Sequence, residues 1–309
     1  MPPLPPNEAP PLPPLPDPRT LLRLYGIRPH KGLGQHFLVD ADPLAQILAA
    51  AELRTTDTVL EIGPGLGVLT ASLARQAGRV IAVELDPEML MVLRSVLGQR
   101  PNLTLVAGDI LALEPAELLG LAPDVRGRLA GYKVVANLPY HITSAALRHI
   151  LESRVRPERA VVMVQREVAD RILAAPGDLS VLGVAVQLYA RPSRVCDVPA
   201  GAFYPPPKVD SAVLRLDIHP APIVEVPGAA AFFRVVRAGF GQKRKQLKNS
   251  LAAGLAIRPE DAVALLVAAG IEPRRRAETL SLEEWAALTW AYSSAAGGPT
   301  PGPAATPSP

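Results

Sequence analysis

The chain has 309 residues, enough for one large domain or a large and a small one, and 49% of them are hydrophobic, ample for a packed core. No stretch reaches the ~18 consecutive apolar residues of a membrane span, the first 18 residues hold no Lys or Arg for a signal peptide's charged leader, and the single cysteine, Cys196, excludes a disulfide framework or a cysteine-built metal cage. Net charge is only +3 but uneven: residues 1–18 carry two acids and no base, whereas Arg234 to Lys248 holds six basic residues and no acid, a local patch suited to phosphates. These bounds fit a soluble, cytoplasmic protein with no metal site.

Residues 1–18 contain ten prolines and residues 296–309 contain five more. Proline removes a backbone donor and fixes φ, so both ends are expected to be flexible tails, spanning 1–18 and 293–309. From about Asp40, short β-branched runs at 58–62, 80–85, 103–107, 133–136 and 160–165 alternate with helix-length segments at 70–77, 87–97, 116–121, 144–151 and 167–174. Apolar strands alternating with helices predict a parallel sheet covered on both faces. Residues 187–198 and 208–218 read as two long strands joined by 200–207, a hairpin-like end to that sheet. After His219 the strand signal stops, and 229–240, 244–255, 259–269 and 282–291 read as helices punctuated by Gly254, Pro259, Gly270 and Pro273. The expected fold is α/β, a Rossmann-like, mostly parallel sheet over 19–218 followed by a small all-helical domain over 219–292.

The first of these strands ends in Glu61-Ile-Gly63-Pro-Gly65-Leu-Gly67 and runs into a helix. Glycines there let the backbone turn sharply and approach a ligand without an intervening Cβ. Val68 stands where a dinucleotide-binding Gly-x-Gly-x-x-Gly requires its last glycine. The second strand ends in Glu84, whose carboxylate can accept both hydroxyls of a ribose, each such bond worth roughly 1.5–3 kcal/mol. The third leads into Gly108-Asp109-Ile110, an acid for an adenine amino group and an apolar side chain to cover the ring. Three consecutive strand ends thus offer a glycine turn, a ribose acceptor and an adenine acceptor at the crevice where open α/β sheets bind ligands. The set points to an adenosine-containing cofactor, either a nicotinamide dinucleotide or S-adenosyl-L-methionine.

The fourth strand ends in Asn137-Leu138-Pro139-Tyr140. An amine conjugated to an aromatic ring is a poor nucleophile until its nitrogen is drawn toward tetrahedral geometry. The side-chain oxygen of Asn137 and the carbonyl of Leu138, stiffened by Pro139, can accept its two N–H groups and do this. Tyr140 can stack on a base that has left its helix or loop. A sulfonium-borne methyl group needs no strong general base, so positioning and electrostatics carry the rate. The motif selects S-adenosyl-L-methionine and an exocyclic amine of a nucleic-acid base.

With Gly34-Gln35-His36-Phe37-Leu38, the run Val164-Gln165-Arg166-Glu167-Val168-Ala169, the run Ala202-Phe203-Tyr204-Pro205-Pro206-Pro207-Lys208-Val209-Asp210-Ser211-Ala212-Val213 and the basic segment 242–249, these motifs extend over residues 30–250. Across that span the chain resembles the ribosomal RNA adenine dimethyltransferase family, specifically its small-subunit (16S) dimethyladenosine transferases. The resemblance implies a class I methyltransferase fold, for which a hairpin-like end on a parallel sheet is characteristic. It implies cofactor contacts from His36, Leu38, Gly63, Glu84, Asp109 and Asn137, with His36 standing where the family usually has asparagine. It further implies that Phe203 helps sandwich the flipped adenine opposite Tyr140, alongside the catalytic Asn137, Leu138 and Pro139. The implied substrate is a pair of neighbouring adenosines near the 3′ end of 16S rRNA, each dimethylated at N6 within a partly assembled small subunit. The basic residues of 234–248 would hold its phosphates, and nothing in the sequence calls for more than a monomer. A sibling that methylates a large-subunit rRNA adenine and confers antibiotic resistance, and a mainly non-enzymatic ribosome assembly factor, are the alternatives. A nicotinamide dehydrogenase is disfavoured by Val68 and by Asn137–Tyr140.

Overall fold

The computed structural model describes residues 15–120 and 131–297. Most of both expected tails, and residue 121 at the end of one expected helix, lie outside the described residues. In chain order the elements are α1 (Pro18–Leu24), β1 (Phe37–Leu38), α2 (Ala41–Ala51), β2 (Thr58–Ile62), α3 (Val68–Gln76), β3 (Arg79–Glu84) and α4 (Pro87–Leu97). There follow β4 (Leu103–Ala107), α5 (Pro115–Leu119), β5 (Tyr132–Asn137), α6 (Thr143–Leu151), β6 (Arg159–Gln165), α7 (Arg166–Leu173) and α8 (Val181–Tyr189). The remainder are β7 (Ala190–Val198), β8 (Phe203–Tyr204), β9 (Ser211–Ile218), α9 (Ala229–Phe240), α10 (Leu247–Leu255), α11 (Pro259–Ala268) and α12 (Leu282–Ala295).

Seven strands form one sheet in the order β4-β3-β2-β5-β6-β9-β7. The first five run parallel; β9 lies antiparallel to β6, and β7 antiparallel to β9. This is the expected α/β sheet with a hairpin-like end. From β2 the chain crosses to β3 on one side, while β5 lies on the other, so the β2/β5 boundary is the topological switch point. The loops after β2 and β5, which hold the glycine turn and Asn137–Tyr140, meet there. The strands β2, β5 and β6 are almost wholly buried, as the continuous apolar runs require. At their opposite ends Lys133 pairs with Asp57 at 2.8 Å, and Glu52 pairs with Arg159 at 2.8 Å and with Arg215. Those two guanidinium groups hold the Glu52 carboxyl down at about 2.

The structure corrects several element expectations. Pro18 belongs to α1 rather than to the tail: Asp17 caps that helix by accepting the Arg19 N–H at 2.7 Å, and proline is tolerated in a first turn, where its missing N–H has no partner to lose. Likewise α12, opened by a Ser281/Glu284 capping box, runs on to Ala295, past the expected tail boundary at 293. Helix α2 was not expected, although Asp40 caps it. Residues 187–189 complete α8 instead of opening a strand.

By compactness the chain divides into Met1–Asp170 with Ala190–Ala221, and Arg171–Tyr189 with Pro222–Pro309. Residues 171–189, placed by sequence in the larger domain, therefore group with the helical unit. The reason is α8, which buries Val184, Ala185, Val186, Leu188 and Tyr189 and sets the Tyr189 ring 6.4 Å from that of Phe233 on α9. Within this unit α10 begins only at Leu247, whose N–H is taken by Arg275 O, so Lys243, Arg244 and Lys245 lie in the turn before it.

Candidate active site

One cleft lies at the switch point. Its described lining includes residues 33–38, the 61–66 turn, Glu84, Leu85, Gly108–Ile110, Asn137–Ile142 and Met163. Three carboxyl groups, Glu61, Glu84 and Asp109, line it, and no Lys or Arg does among the described residues.

The glycine turn is shaped by backbone need. Gly63 and Gly65 have φ of +66° and +56°, a region that strains any residue bearing a Cβ. Gly63 also lies against Pro139, where a Cβ would come within 3.5 Å of the proline ring, so the turn after β2 touches the motif after β5.

Glu84 is 7% exposed. Its Oε2 accepts from Gly65 N–H at 3.0 Å and its Oε1 from Asp86 N–H at 2.9 Å, which leaves about half of a carboxylate's acceptor capacity for a ligand. Burial raises its pKa, and the two amides work against that rise. Asp109 is exposed; one oxygen caps the short turn Ile110–Ala112 through Leu111 N–H at 2.9 Å, and Ile110 beside it is buried. The pairing of Ile62 with Val83 and of Glu84 with Ala107 brings these three strand ends side by side.

Asn137 ends β5 and is half-buried. Its Nδ2 donates to His36 O at 3.1 Å, which turns Oδ1 into the acceptor. Leu138 is anchored by its own N–H to Met163 O at 3.1 Å. Tyr140 shares a 2.6 Å hydrogen bond between its hydroxyl and Ser211 Oγ, and burial raises its pKa. His36 Nδ1 lies 2.8 Å from Pro205 O; a carbonyl only accepts, so Nδ1 carries the proton. The His36 ring stacks on Tyr140 with centroids 5.7 Å apart and planes at 25°.

Phe203 is 2% exposed and packs with Leu38, Ile47 and Val213, so it lies behind the cleft-lining Leu38 and Ile47. The short antiparallel pair β1–β8 explains this: Phe203 pairs with Leu38, and both side chains are buried. In this arrangement the ring facing Tyr140 is His36. The remaining expected residues, His36, Leu38, Gly63, Glu84, Asp109 and Asn137–Tyr140, all reach the one cleft.

Three residues were not read as functional from sequence. Glu61, on β2, is 1% exposed, its Oε2 has no hydrogen-bond partner, and burial pushes its pKa up to about 8, with nearby Glu84 adding to the rise. An acid inside a run of apolar strand residues was the available signal. Ser211 meets Tyr140 and Gln35 meets Asp86 through long-range pairing, which no local pattern reports.

The sequence pattern of the family described as "Ribosomal RNA adenine dimethylase" matches residues 27–292. A Dehalococcoides mccartyi protein named ribosomal RNA small subunit methyltransferase A is 50% identical over 275 residues, covering 89% of this chain and 92% of its own length. A Moorella thermoacetica protein of the same name is 48% identical, over 87% and 94%. Among solved structures, a Plasmodium falciparum dimethyladenosine transferase is similar with a TM-score of 0.69 at 25% identity, over 85% of this chain and 98% of that one. The 23S rRNA methyltransferase ErmE gives 0.60 at 31% identity, over 82% and 98%.

Proposed function

The chain belongs to the ribosomal RNA adenine dimethylase family, and from that premise we propose that it dimethylates N6 of two adjacent adenosines near the 3′ end of 16S rRNA, with S-adenosyl-L-methionine as donor. The observation that carries the donor is the make-up of the cleft: three carboxyl groups and, among the described residues, no Lys or Arg suit a cationic adenosine and oppose a pyrophosphate. Glu61 Oε2, buried without a partner, fits an ammonium group of that ligand. When bound, S-adenosyl-L-methionine supplies an electrophilic methyl group on a sulfonium.

This chain's own residues then do the following. Glu84 takes the ribose hydroxyls, Asp109 the adenine amino group, and Ile110 and Leu85 cover the ring. Gly63, His36 and Leu38 line the rest of the donor's bed. The target base, turned out of its RNA, stacks on Tyr140, whose ring Ser211 holds in place. Asn137 Oδ1 and the Leu138 carbonyl accept hydrogen bonds from the N6–H groups and raise the nitrogen's nucleophilicity; the proton displaced when the methyl group transfers passes to solvent. Phe203 backs β1 from the core side.

Identity near 50% to proteins named for the small subunit, against 31% to the 23S enzyme, supports the small-subunit substrate. Arg234, Arg237, Lys243, Arg244 and Lys245 are exposed, and their role is to bind rRNA phosphates of a partly assembled subunit. No helix among the described residues is long and apolar enough to cross a membrane.

Incubation with the methyl donor and unmethylated small subunits should yield two neighbouring N6,N6-dimethyladenosines by mass spectrometry; modification of large-subunit rRNA alone would transfer the assignment to the sibling activity. Glu84→Ala should weaken S-adenosyl-L-methionine by about tenfold or more in calorimetry, since hydrogen bonds to a buried carboxylate are lost. Unchanged affinity would remove the ribose role.

A further inference from the structure

We propose that Gln35 and Asp86 form a latch that holds residues 30–35 over the cleft and so retains the methyl donor, an inference that rests on the donor reading above. Both act as positioning residues and neither touches the reacting atoms.

The Gln35 amide is tied at both ends. Its Nε2 donates to Asp86 Oδ2 at 2.6 Å and its Oε1 accepts from His30 N–H at 2.7 Å, so the amide has one orientation that satisfies both. Asp86 is 5% exposed, and each of its carboxylate oxygens accepts a hydrogen bond. Its other oxygen caps α4 through Glu88 N–H at 2.9 Å, while its own N–H holds Glu84 Oε1 at 2.9 Å. One residue thus orients the ribose carboxylate through its main chain and grips the N-terminal segment through its side chain.

The same segment has an apolar anchor. Phe37 packs with Leu21, Leu22, Ile27, Leu66, Met89 and Val92 and lies so close to Gly65 that a Cβ there would meet its ring at 3.0 Å. Residues 33–38 line the cleft. Phe37 holds the segment by packing and His36 by its hydrogen bonds to Asn137 and Pro205, and the Gln35–Asp86 bond is the polar tie of the residues before them. Its loss frees residues 30–35 without removing the packing under Phe37.

An exchange of partners tests this in the full chain. Asp86→Asn keeps the helix cap, because an asparagine oxygen still accepts from Glu88, but it turns an amide NH2 toward Gln35 Nε2. Gln35→Glu sets two carboxylates against each other. Each single variant should release S-adenosyl-L-methionine about tenfold or more faster, the loss expected for a charge-assisted hydrogen bond. In the Gln35→Glu/Asp86→Asn double variant the asparagine NH2 donates to the new carboxylate, and release should return to within about threefold of the parent. Amide hydrogen exchange of residues 30–35 without ligand should quicken in each single variant and recover in the double. Unchanged release and exchange in Asp86→Asn, or a double variant as impaired as the singles, overturns the latch. If the parent chain binds no S-adenosyl-L-methionine, the donor reading fails, and the ligand-free exchange pattern still decides the latch.

Discussion

Asn137→Ala is expected to lower the rate of methyl transfer by about 10²–10³-fold at saturating donor, the scale seen when one preorganised polar group at a reacting centre is deleted. The side chain has two jobs in the structure. Nδ2 holds His36 O, and the orientation this imposes leaves Oδ1 to accept from the amine that is methylated. Alanine removes both, so donor affinity should fall as well. Asn137→Asp separates them: it keeps an acceptor but loses the donor to His36. It should therefore retain turnover within about tenfold of the parent while binding the donor more weakly, because a carboxylate accepts at least as strongly as an amide. Single-turnover rates together with calorimetric donor affinities give the two numbers. An alanine variant within tenfold of the parent rate would dismiss the acceptor role. So would an aspartate variant as inactive as alanine with donor affinity intact. An alanine variant that lost methyl transfer but still supported subunit assembly would reveal a separate binding role.

How far these residues were legible in advance depended on the range of the interactions that place them. The runs 58–62, 103–107, 87–97 and 229–240 have the observed limits of β2, β4, α4 and α9. Strong local signals mark them, such as Asp86 before Pro87, where the carboxylate caps the helix and proline fits its first turn. Three helices escaped, α1 because its opening Pro18 reads as part of the Pro-rich tail. Residues 41–51 are rich in alanine, which blurs the apolar stripe of Ile47 and Ala51. Residues 181–189 are apolar on nearly every side, so period alone cannot separate a buried helix from a strand. At the cleft, the glycine turn, Glu84, Asp109 and Asn137 were legible because each ends a strand whose register a parallel sheet dictates. Gln35 with Asp86, and Tyr140 with Ser211, join residues 51 and 71 positions apart. The inward direction of Phe203 is likewise set at long range, by pairing with Leu38, 165 positions earlier in the chain.

Glu61→Gln should alter the pH dependence of stability more than any other single change at the cleft. The Glu61 carboxyl is buried, and its pKa lies at about 8 against 4.5 for an ordinary glutamate. The folded state therefore binds this proton more tightly than the unfolded chain does. Below about pH 4.5 both states are protonated, and the group costs nothing. As pH rises the unfolded chain ionises first, so stability is lost progressively until about 8, where the folded carboxyl ionises too. The accumulated loss is on the order of 4 kcal/mol. Glutamine does not titrate, so whatever its amide costs at low pH, the stability difference between variant and parent should move in the variant's favour by that amount between pH 4.5 and 8. Denaturant midpoints of the ligand-free proteins at several pH values measure this, and parallel curves would show that Glu61 is not held protonated. The same proton couples to ligand binding. An ammonium group placed against Oε2 favours the ionised carboxyl, so affinity for S-adenosyl-L-methionine should climb as pH approaches 8 in the parent and stay level in the variant. A level profile in both proteins, with Glu61→Gln binding as tightly as the parent, would place the donor's ammonium elsewhere and leave Glu61 a buried acid that destabilises the fold without serving the ligand.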